Sequence, residues 1–222
     1  RSSAMCRDTL GQVWVTWVDS IRYIRLSYFD SRIQIWNTIS RNSEMDRGAA
    51  PGITCDKFNN IWCSWTRLGS SHSDSNYYIM VGCYDGENWT HFDTLAVIKS
   101  IISYQTTGIT TDTLGNIWVC WNGDPENSGN LKVYAQYFNG IDWSIREFIG
   151  GCSDMAFPTI CADSLGEVWV AYYDKMYVRC AGGDTWSSAI QFPHSDTTYW
   201  WWPHPDICSD PQGGIWAGFS EA

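Results

Sequence analysis

The chain has few charged side chains, and most of those are acidic. Of its 222 residues 17% are charged, only four are lysine, and the formal net charge is −10. Nucleic acids and anionic membranes attract surfaces rich in clustered Lys and Arg. The composition therefore predicts neither nucleic acid nor an anionic membrane as a partner.

Long apolar runs are also missing. The longest candidate, residues 96–102, is short and contains Lys99, whereas a membrane-spanning helix needs roughly 18–20 apolar residues. The first residues, Arg1–Met5, lack the apolar core of a secretory leader. The sequence thus predicts no membrane insertion and leaves the compartment open.

Patterns typical of metal sites and cofactors are absent. The nine cysteines form no C-x-x-C pair and only four histidines are present, so we expect no zinc site and interpret the cysteines as small packed residues. Residues 73–76 and 124–127 carry oxygen ligands that Ca²⁺ could use, but neither has the spacing of a calcium loop. We expect solvated turns there, and no cofactor.

One motif recurs along the whole chain. The pattern D-x-x-G-x-[IV]-W begins at Asp8, Asp56, Asp112, Asp163 and Asp210, with Asn59 replacing Gly in the second copy. Successive copies start 48, 56, 51 and 47 residues apart. Near-even spacing of about 40–50 residues is typical of β-propeller blades.

Each copy predicts a tight turn between two antiparallel strands. The aspartate can accept hydrogen bonds from backbone N–H groups two and three residues on, and Gly or Asn takes the positive-φ position. Asp8, Asp56, Asp112, Asp163 and Asp210 are therefore predicted to be structural. Replacing Asp112 by Ala should cost on the order of 1 kcal/mol.

The strand after each turn carries two aromatic residues three positions apart, as in Trp62 and Trp65. Such residues point to opposite faces of a strand, so both faces should be covered. A second turn, Gly-x-x-Trp-[Ser/Thr], follows at Gly86, Gly140 and Gly183, whereas the first copy has Ile33 where the others have Gly. Its turn should differ from the rest.

These elements predict an all-β protein, a β-propeller of four-stranded antiparallel blades. We place complete blades at about 1–40, 50–98, 106–149 and 157–192 and a half-blade at 204–219. Because the half-blade lacks two of its four strands, the propeller would be open, and an open propeller exposes sheet edges and aromatic blade faces. We therefore expect either further domains of a longer parent protein or self-association.

The D-x-x-G-x-[IV]-W-V hairpins resemble those of bacterial surface and sensor propellers, including the two-component-regulator type. They are similar to the Asp-box of sialidase-like propellers, with one extra residue between Asp and Gly. The segment from Leu131 to Trp143 resembles the repeats of fucose-binding propeller lectins. The resemblance implies a propeller architecture, and it does not identify a ligand.

Loops between the second and third strands, and between blades, vary while the opposite turns repeat. Variable loops on a fixed scaffold commonly bind ligands. The most unusual is residues 193–205, from which we predict ligand-binding residues: His194, Asp196, Tyr199, Trp200, Trp201, Trp202 and His204. Aromatic faces beside hydrogen-bonding groups suit a sugar. Alternatively, these rings fill the space between blades.

No nucleophile with a base, and no positioned carboxylate pair, is evident in the sequence. We therefore predict no catalytic residues, and a non-catalytic propeller that binds a glycan or surface glycoconjugate in an extracellular or cell-surface location. Two alternatives stay open. One is a structural or adhesion domain of a larger assembly, and the other is a polysaccharide-cleaving enzyme.

Overall fold

The computed structural model describes residues 3–39, 48–69, 76–99, 106–124, 126, 131–152, 156–172, 175–179, 185–191 and 205–218. These residues form 18 strands: β1 Ser3–Arg7, β2 Val13–Val18, β3 Ile24–Asp30, β4 Ile35–Thr38, β5 Gly48–Cys55, β6 Ile61–Leu68, β7 Tyr77–Tyr84, β8 Trp89–Ile98, β9 Thr107–Thr111, β10 Ile117–Gly123, β11 Leu131–Phe138, β12 Glu147–Cys152, β13 Thr159–Ala162, β14 Val168–Tyr172, β15 Lys175–Arg179, β16 Ile190–Gln191, β17 Asp206–Ser209 and β18 Ile215–Gly218.

The strands form four antiparallel four-stranded sheets and one two-stranded sheet, each in chain order. The protein is thus an all-β propeller with four blades, β1–β4, β5–β8, β9–β12 and β13–β16, followed by the half-blade β17–β18. Within the part of the chain that the structure describes, no helix is long and apolar enough to cross a membrane.

The core lies between successive blades. Trp62 packs towards the third blade with Val119 and Trp121, whereas Trp65 packs towards the first blade with Ile24 and Leu26. This arrangement confirms that the two aromatics of the second strand point to opposite faces. Trp65 and Trp121 are completely buried.

The first strand of each blade lies innermost, next to the first strand of the following blade. Side-chain hydroxyls join these strands. Thr107 and Thr111 of β9 donate to the carbonyls of Ala50 and Cys55 at 3.1 and 3.0 Å. Ser209 of β17 similarly donates to Ala162 at 2.8 Å. Small hydroxyl residues therefore set the spacing between blades.

The two kinds of turn lie at the same end of the blades. Gly86 and Gly140 adopt positive φ angles of 101° and 95° in the turns between the third and fourth strands. In the first blade, where Ile33 replaces the glycine, Gln34 takes the positive φ of 57° instead. As predicted, that turn differs from the others.

Candidate functional site

The predicted ligand platform lies outside the described residues. Its seven members all belong to residues 192–204, which the structure does not describe: His194, Asp196, Tyr199, Trp200, Trp201, Trp202 and His204. Their role remains a prediction.

A charged and aromatic cluster lies on the face of the third blade that packs against the second. We call it the 2–3 groove and define it by Glu126, Lys132, Tyr134, Arg146 and Phe148. Lys132 and Tyr134 alternate along β11, so their side chains share one face. Phe148 on β12 is paired with Tyr134.

Glu126 is the centre of this cluster. Its carboxylate accepts a hydrogen bond from the Tyr134 hydroxyl at 3.2 Å and one from the Lys132 ammonium. The Arg146 guanidinium lies 3.9 Å from the same carboxylate and 4.8 Å above the centre of the Tyr134 ring. Four polar groups therefore hold one another in place at the surface.

The aromatic rings form the wall behind these groups. Tyr134 is buried and stacks on Trp121, with ring centres 6.0 Å apart and planes 28° apart. Phe148 meets the Tyr134 ring edge-on at 6.1 Å and is itself 56% exposed. The groove therefore offers one accessible apolar ring next to fixed polar groups.

The ionisation states follow from these contacts. The hydrogen bond from Lys132 lowers the pKa of Glu126, and the same bond raises the pKa of Lys132. Burial, reinforced by the charge of Glu126, raises the pKa of the Tyr134 phenol. At neutral pH Glu126 is thus a carboxylate, Lys132 a cation and Tyr134 a neutral phenol, and the buried Asp124 contributes to raising the pKa of Lys132.

The 2–3 groove is not arranged as a metal site. The carboxylate of Glu126 is already occupied by two cations and a hydroxyl donor. Among the described residues, no group of three or more His, Cys, Asp or Glu side chains could hold a metal ion. What the groove can do is stack an apolar face on Phe148 and hydrogen-bond to polar groups beside it.

The seam between the first and second blades has related features. The Arg67 guanidinium lies 4.9 Å above the Tyr78 ring. The Trp65 indole N–H at this seam is buried, as is the Trp121 indole N–H at the seam between the second and third blades. Neither has a hydrogen-bond partner within the described part of the chain. A Cβ at Gly48 would lie 2.5 Å from the Ile24 side chain and 3.1 Å from Trp65, so glycine permits this close approach of the first two blades.

Carboxylates for hydrolysis would be expected near the central axis, where the innermost strands begin. Of the five residues that begin these strands, only Asp206 is acidic, and its carboxylate accepts a hydrogen bond from Thr159 at 3.3 Å. A glycosidase ordinarily needs two carboxylates. The described residues supply no such pair at these positions.

Four motif aspartates, Asp56, Asp112, Asp163 and Asp210, share one geometry, and Asp8 accepts the backbone N–H of Gln12 and the indole N–H of Trp14. One oxygen of Asp112 accepts the backbone N–H groups of Leu114 and Asn116, two and four residues on. The other accepts the indole N–H of Trp118 at 2.9 Å. The sequence also predicted a bond to the carboxylate from the N–H three residues on, and that prediction is wrong. Gly115 has a positive φ of 90°, and its N–H donates instead to the backbone carbonyl of Asp112.

The aspartate–indole bond is what couples the first and last residues of the motif. It recurs in every copy at 2.9–3.1 Å, from Trp14, Trp62, Trp118, Trp169 and Trp216. The strict D-x₅-W spacing was the sequence signal for it, and sequence reasoning did not use it. These aspartates are engaged in the turns.

A second set of carboxylates joins neighbouring blades. The indole of Trp143 donates to Asp93 of the preceding blade at 3.1 Å, and that of Trp186 donates to Glu147 at 2.8 Å. Arg179 also donates to Glu147 at 3.1 Å, and both side chains are largely buried. Sequence reasoning saw the tryptophans but could not identify their distant partners.

No family model matches the sequence, and no match was found among curated proteins. Several solved structures share the fold. A Penicillium chrysogenum alpha-L-arabinanase complexed with arabinobiose is 13% identical with a TM-score of 0.70, covering 97% of this chain and 74% of that one. The Aleuria aurantia lectin complexed with Fucalpha1-6GlcNAc is 14% identical with a TM-score of 0.68, covering 99% and 71%.

A Hadza microbial sialidase is 12% identical, with a TM-score of 0.65, covering 99% of this chain and 52% of that one. The chain therefore spans between about half and three quarters of the length of these similar structures. At these identities the likeness shows the fold alone, and the fold that it shows is the β-propeller.

Proposed function

We propose that this protein is a non-catalytic, glycan-binding β-propeller of the extracellular space or cell surface. The observation that carries the proposal is the 2–3 groove, where the exposed ring of Phe148 lies next to the fixed polar groups of Glu126, Lys132 and Arg146. The C–H face of a sugar stacks on an aromatic ring, and its hydroxyls need donors and acceptors nearby.

The similar structures support the same class of ligand. One is an arabinanase complexed with arabinobiose and another is a lectin complexed with a fucosylated saccharide. They include both a binding protein and hydrolases, so the fold does not separate binding from cleavage.

The test is a glycan array followed by titration calorimetry, with arabinobiose and Fucalpha1-6GlcNAc among the ligands. Phe148→Ala should weaken binding of any ligand of the groove about fivefold, since a stacked ring contributes roughly 1 kcal/mol. Glu126→Gln should also weaken it, because the carboxylate loses its charge. The matched control is Ile33→Ala, another exposed apolar side chain, which lies on the first blade.

The rim residues Tyr199, Trp200, Trp201 and Trp202 form a second proposed contact surface. Trp201→Ala tests it separately from the groove. If the rim variant loses binding and Phe148→Ala does not, the groove is wrong and the sequence-derived platform is right. If both variants bind as the parent does, the site lies elsewhere.

Two outcomes would refute the proposal itself. Release of reducing sugar from a bound saccharide would show a hydrolase. The absence of any saccharide binding, together with defined association with another protein, would favour the structural or adhesion domain.

A further inference from the structure

Two free thiols from different blades lie at the seam between the first and second blades. Cys6 belongs to β1 and Cys55 to β5, and both side chains are half-buried. Both pack against the apolar core of this seam. The strand β1 lies next to β5, just as β5 lies next to β9.

The repeat determines how these two side chains meet. Cys6 and Thr54 each come two residues before the motif aspartate of their blade, whereas Cys55 and Thr111 each come one residue before it. At the seam between the second and third blades, the Thr54 and Thr111 hydroxyl oxygens lie 3.1 Å apart. Because the blades are copies of one unit, Cys6 and Cys55 occupy the same pair of places at the first seam.

Two further observations place the thiols side by side. Burial and, second to it, the neighbouring Cys55 raise the pKa of Cys6 to about 12. The sulfur of Cys55 lies 3.9 Å from the side-chain oxygen of Asn59, which also accepts the backbone N–H and the hydroxyl of Thr9 at 3.0 and 2.6 Å. The turns of the two blades are therefore joined directly beside the two cysteines.

The other seams that the structure describes do not combine two thiols at these places. The corresponding residues are Thr110 and Ala162 at the third seam, and Cys161 and Ser209 at the fourth. There the Ser209 hydroxyl donates to the Ala162 carbonyl at 2.8 Å. A covalent bond between these two places is consequently possible at the first seam and not at the others.

We propose that Cys6 and Cys55 form a disulfide that joins the innermost strands of the first two blades when the chain meets a thiol oxidant. A disulfide needs Cβ atoms roughly 3.5–4.5 Å apart, which is compatible with side-chain oxygens in contact at the equivalent places of the next seam. Disulfides persist in oxidising environments such as the extracellular space. The inference is independent of glycan binding.

The oxidant is a small disulfide such as oxidised glutathione. The Cys55 thiolate attacks one of its sulfurs and releases one thiol, and the Cys6 thiolate then attacks the Cys55 sulfur of the mixed disulfide and releases the second. Two cysteine thiols are oxidised, the small disulfide is reduced to two thiols, and these take up the two cysteine protons. Cys55 reacts first because burial raises the pKa of its thiol to about 11, below that of Cys6.

The experiment compares the full chain incubated with excess oxidised glutathione and the full chain kept reduced with dithiothreitol. Remaining thiols are blocked with N-ethylmaleimide in denaturant, and the chain is digested with trypsin. The tryptic peptides 2–7 and 48–57 contain one cysteine each. Mass spectrometry should find them joined, about 2 Da lighter than their sum, and a reductant should separate them.

The melting temperature should also rise on oxidation, by on the order of 5–10 °C, because the bond closes a long loop in the unfolded chain. In Cys55→Ser the oxidant should produce neither the joined peptides nor this rise. Serine is the matched replacement because Ser209 occupies the same place in the half-blade.

The control is Cys161→Ser, which removes the thiol at the place equivalent to Cys6, where it faces Ser209 rather than a second cysteine. This variant should keep both the joined peptides and the rise in melting temperature. Circular dichroism of each reduced variant establishes that it is folded.

Three results would overturn the proposal. In the first, the oxidant leaves Cys6 and Cys55 as thiols or as separate mixed disulfides. In the second, Cys6 is joined instead to peptide 58–67, which contains the completely buried Cys63. In the third, the joined peptides form but the melting temperature does not change, so the bond does not hold the two blades.

Discussion

Replacing Asp112 by alanine should destabilise the protein by about 3 kcal/mol, more than the motif alone suggested. The carboxylate accepts four hydrogen bonds, from the N–H groups of Leu114 and Asn116, the Asn116 amide and the Trp118 indole. The turn donors lie near solvent and can turn to water. The indole cannot, since Trp118 is 2% exposed.

The magnitude follows from that difference. An unsatisfied buried donor costs about 1–3 kcal/mol, and loss of the solvent-accessible turn bonds costs about 1 kcal/mol more. The matched control is Asp210→Ala. Asp210 makes the same backbone and indole bonds, but Trp216 is 66% exposed, so water can replace the carboxylate. Asp210→Ala should cost only about 1 kcal/mol.

Urea unfolding followed by circular dichroism measures both variants against the parent. A difference of about 2 kcal/mol between them corresponds to roughly 4–8 °C in melting temperature for a chain of this size. Equal destabilisation by the two substitutions would refute the reasoning, because burial of the indole would then contribute nothing.

Further predictions concern the blade seams and the thiols. Gly150→Ala should lower the free energy of unfolding by about 1–3 kcal/mol through overpacking, because the new Cβ would lie 2.1 Å from the Tyr172 hydroxyl. The control is Gly151→Ala, whose Cβ would have no neighbouring atom within 4 Å. Equal melting temperatures of the two variants would contradict the prediction. Burial raises the pKa of four thiols from 9.0 to about 12, those of Cys6, Cys83, Cys120 and Cys161. As the pH rises, these thiols therefore lose their protons in the unfolded chain before they do in the folded one. The free energy of unfolding, measured with urea, should be unchanged below about pH 9 and should fall between pH 9 and pH 12. Native iodoacetamide labelling should modify the exposed Cys208 before the buried Cys63 and Cys120, and uniform labelling would argue against these seams.

The fold could be predicted from the sequence because a propeller repeats a local unit. The D-x-x-G-x-[IV]-W hairpin depends on contacts within seven residues, and the two aromatics of the following strand reveal that both faces are covered. Four blades and a half-blade follow from five copies of one motif. The position of the odd turn at Ile33 was likewise a local property.

The candidate site could be predicted only in part. Lys132 and Tyr134 are two residues apart on a strand, which already places them on one face. Their carboxylate partner, Glu126, comes from the preceding loop, and Phe148 comes from the next strand. Nothing in the spacing indicates that these four side chains meet.

The sequence by itself determined the repeated turns, the strand order and the blades, since these depend on near neighbours in the chain. Only the tertiary structure decided which carboxylate each tryptophan binds, as with Trp143 and Asp93, fifty residues apart. It also decided that Trp118 is buried whereas Trp216, in the same motif, is exposed. The physical reason is that burial depends on what the neighbouring blade covers, and a motif encodes only its own strand.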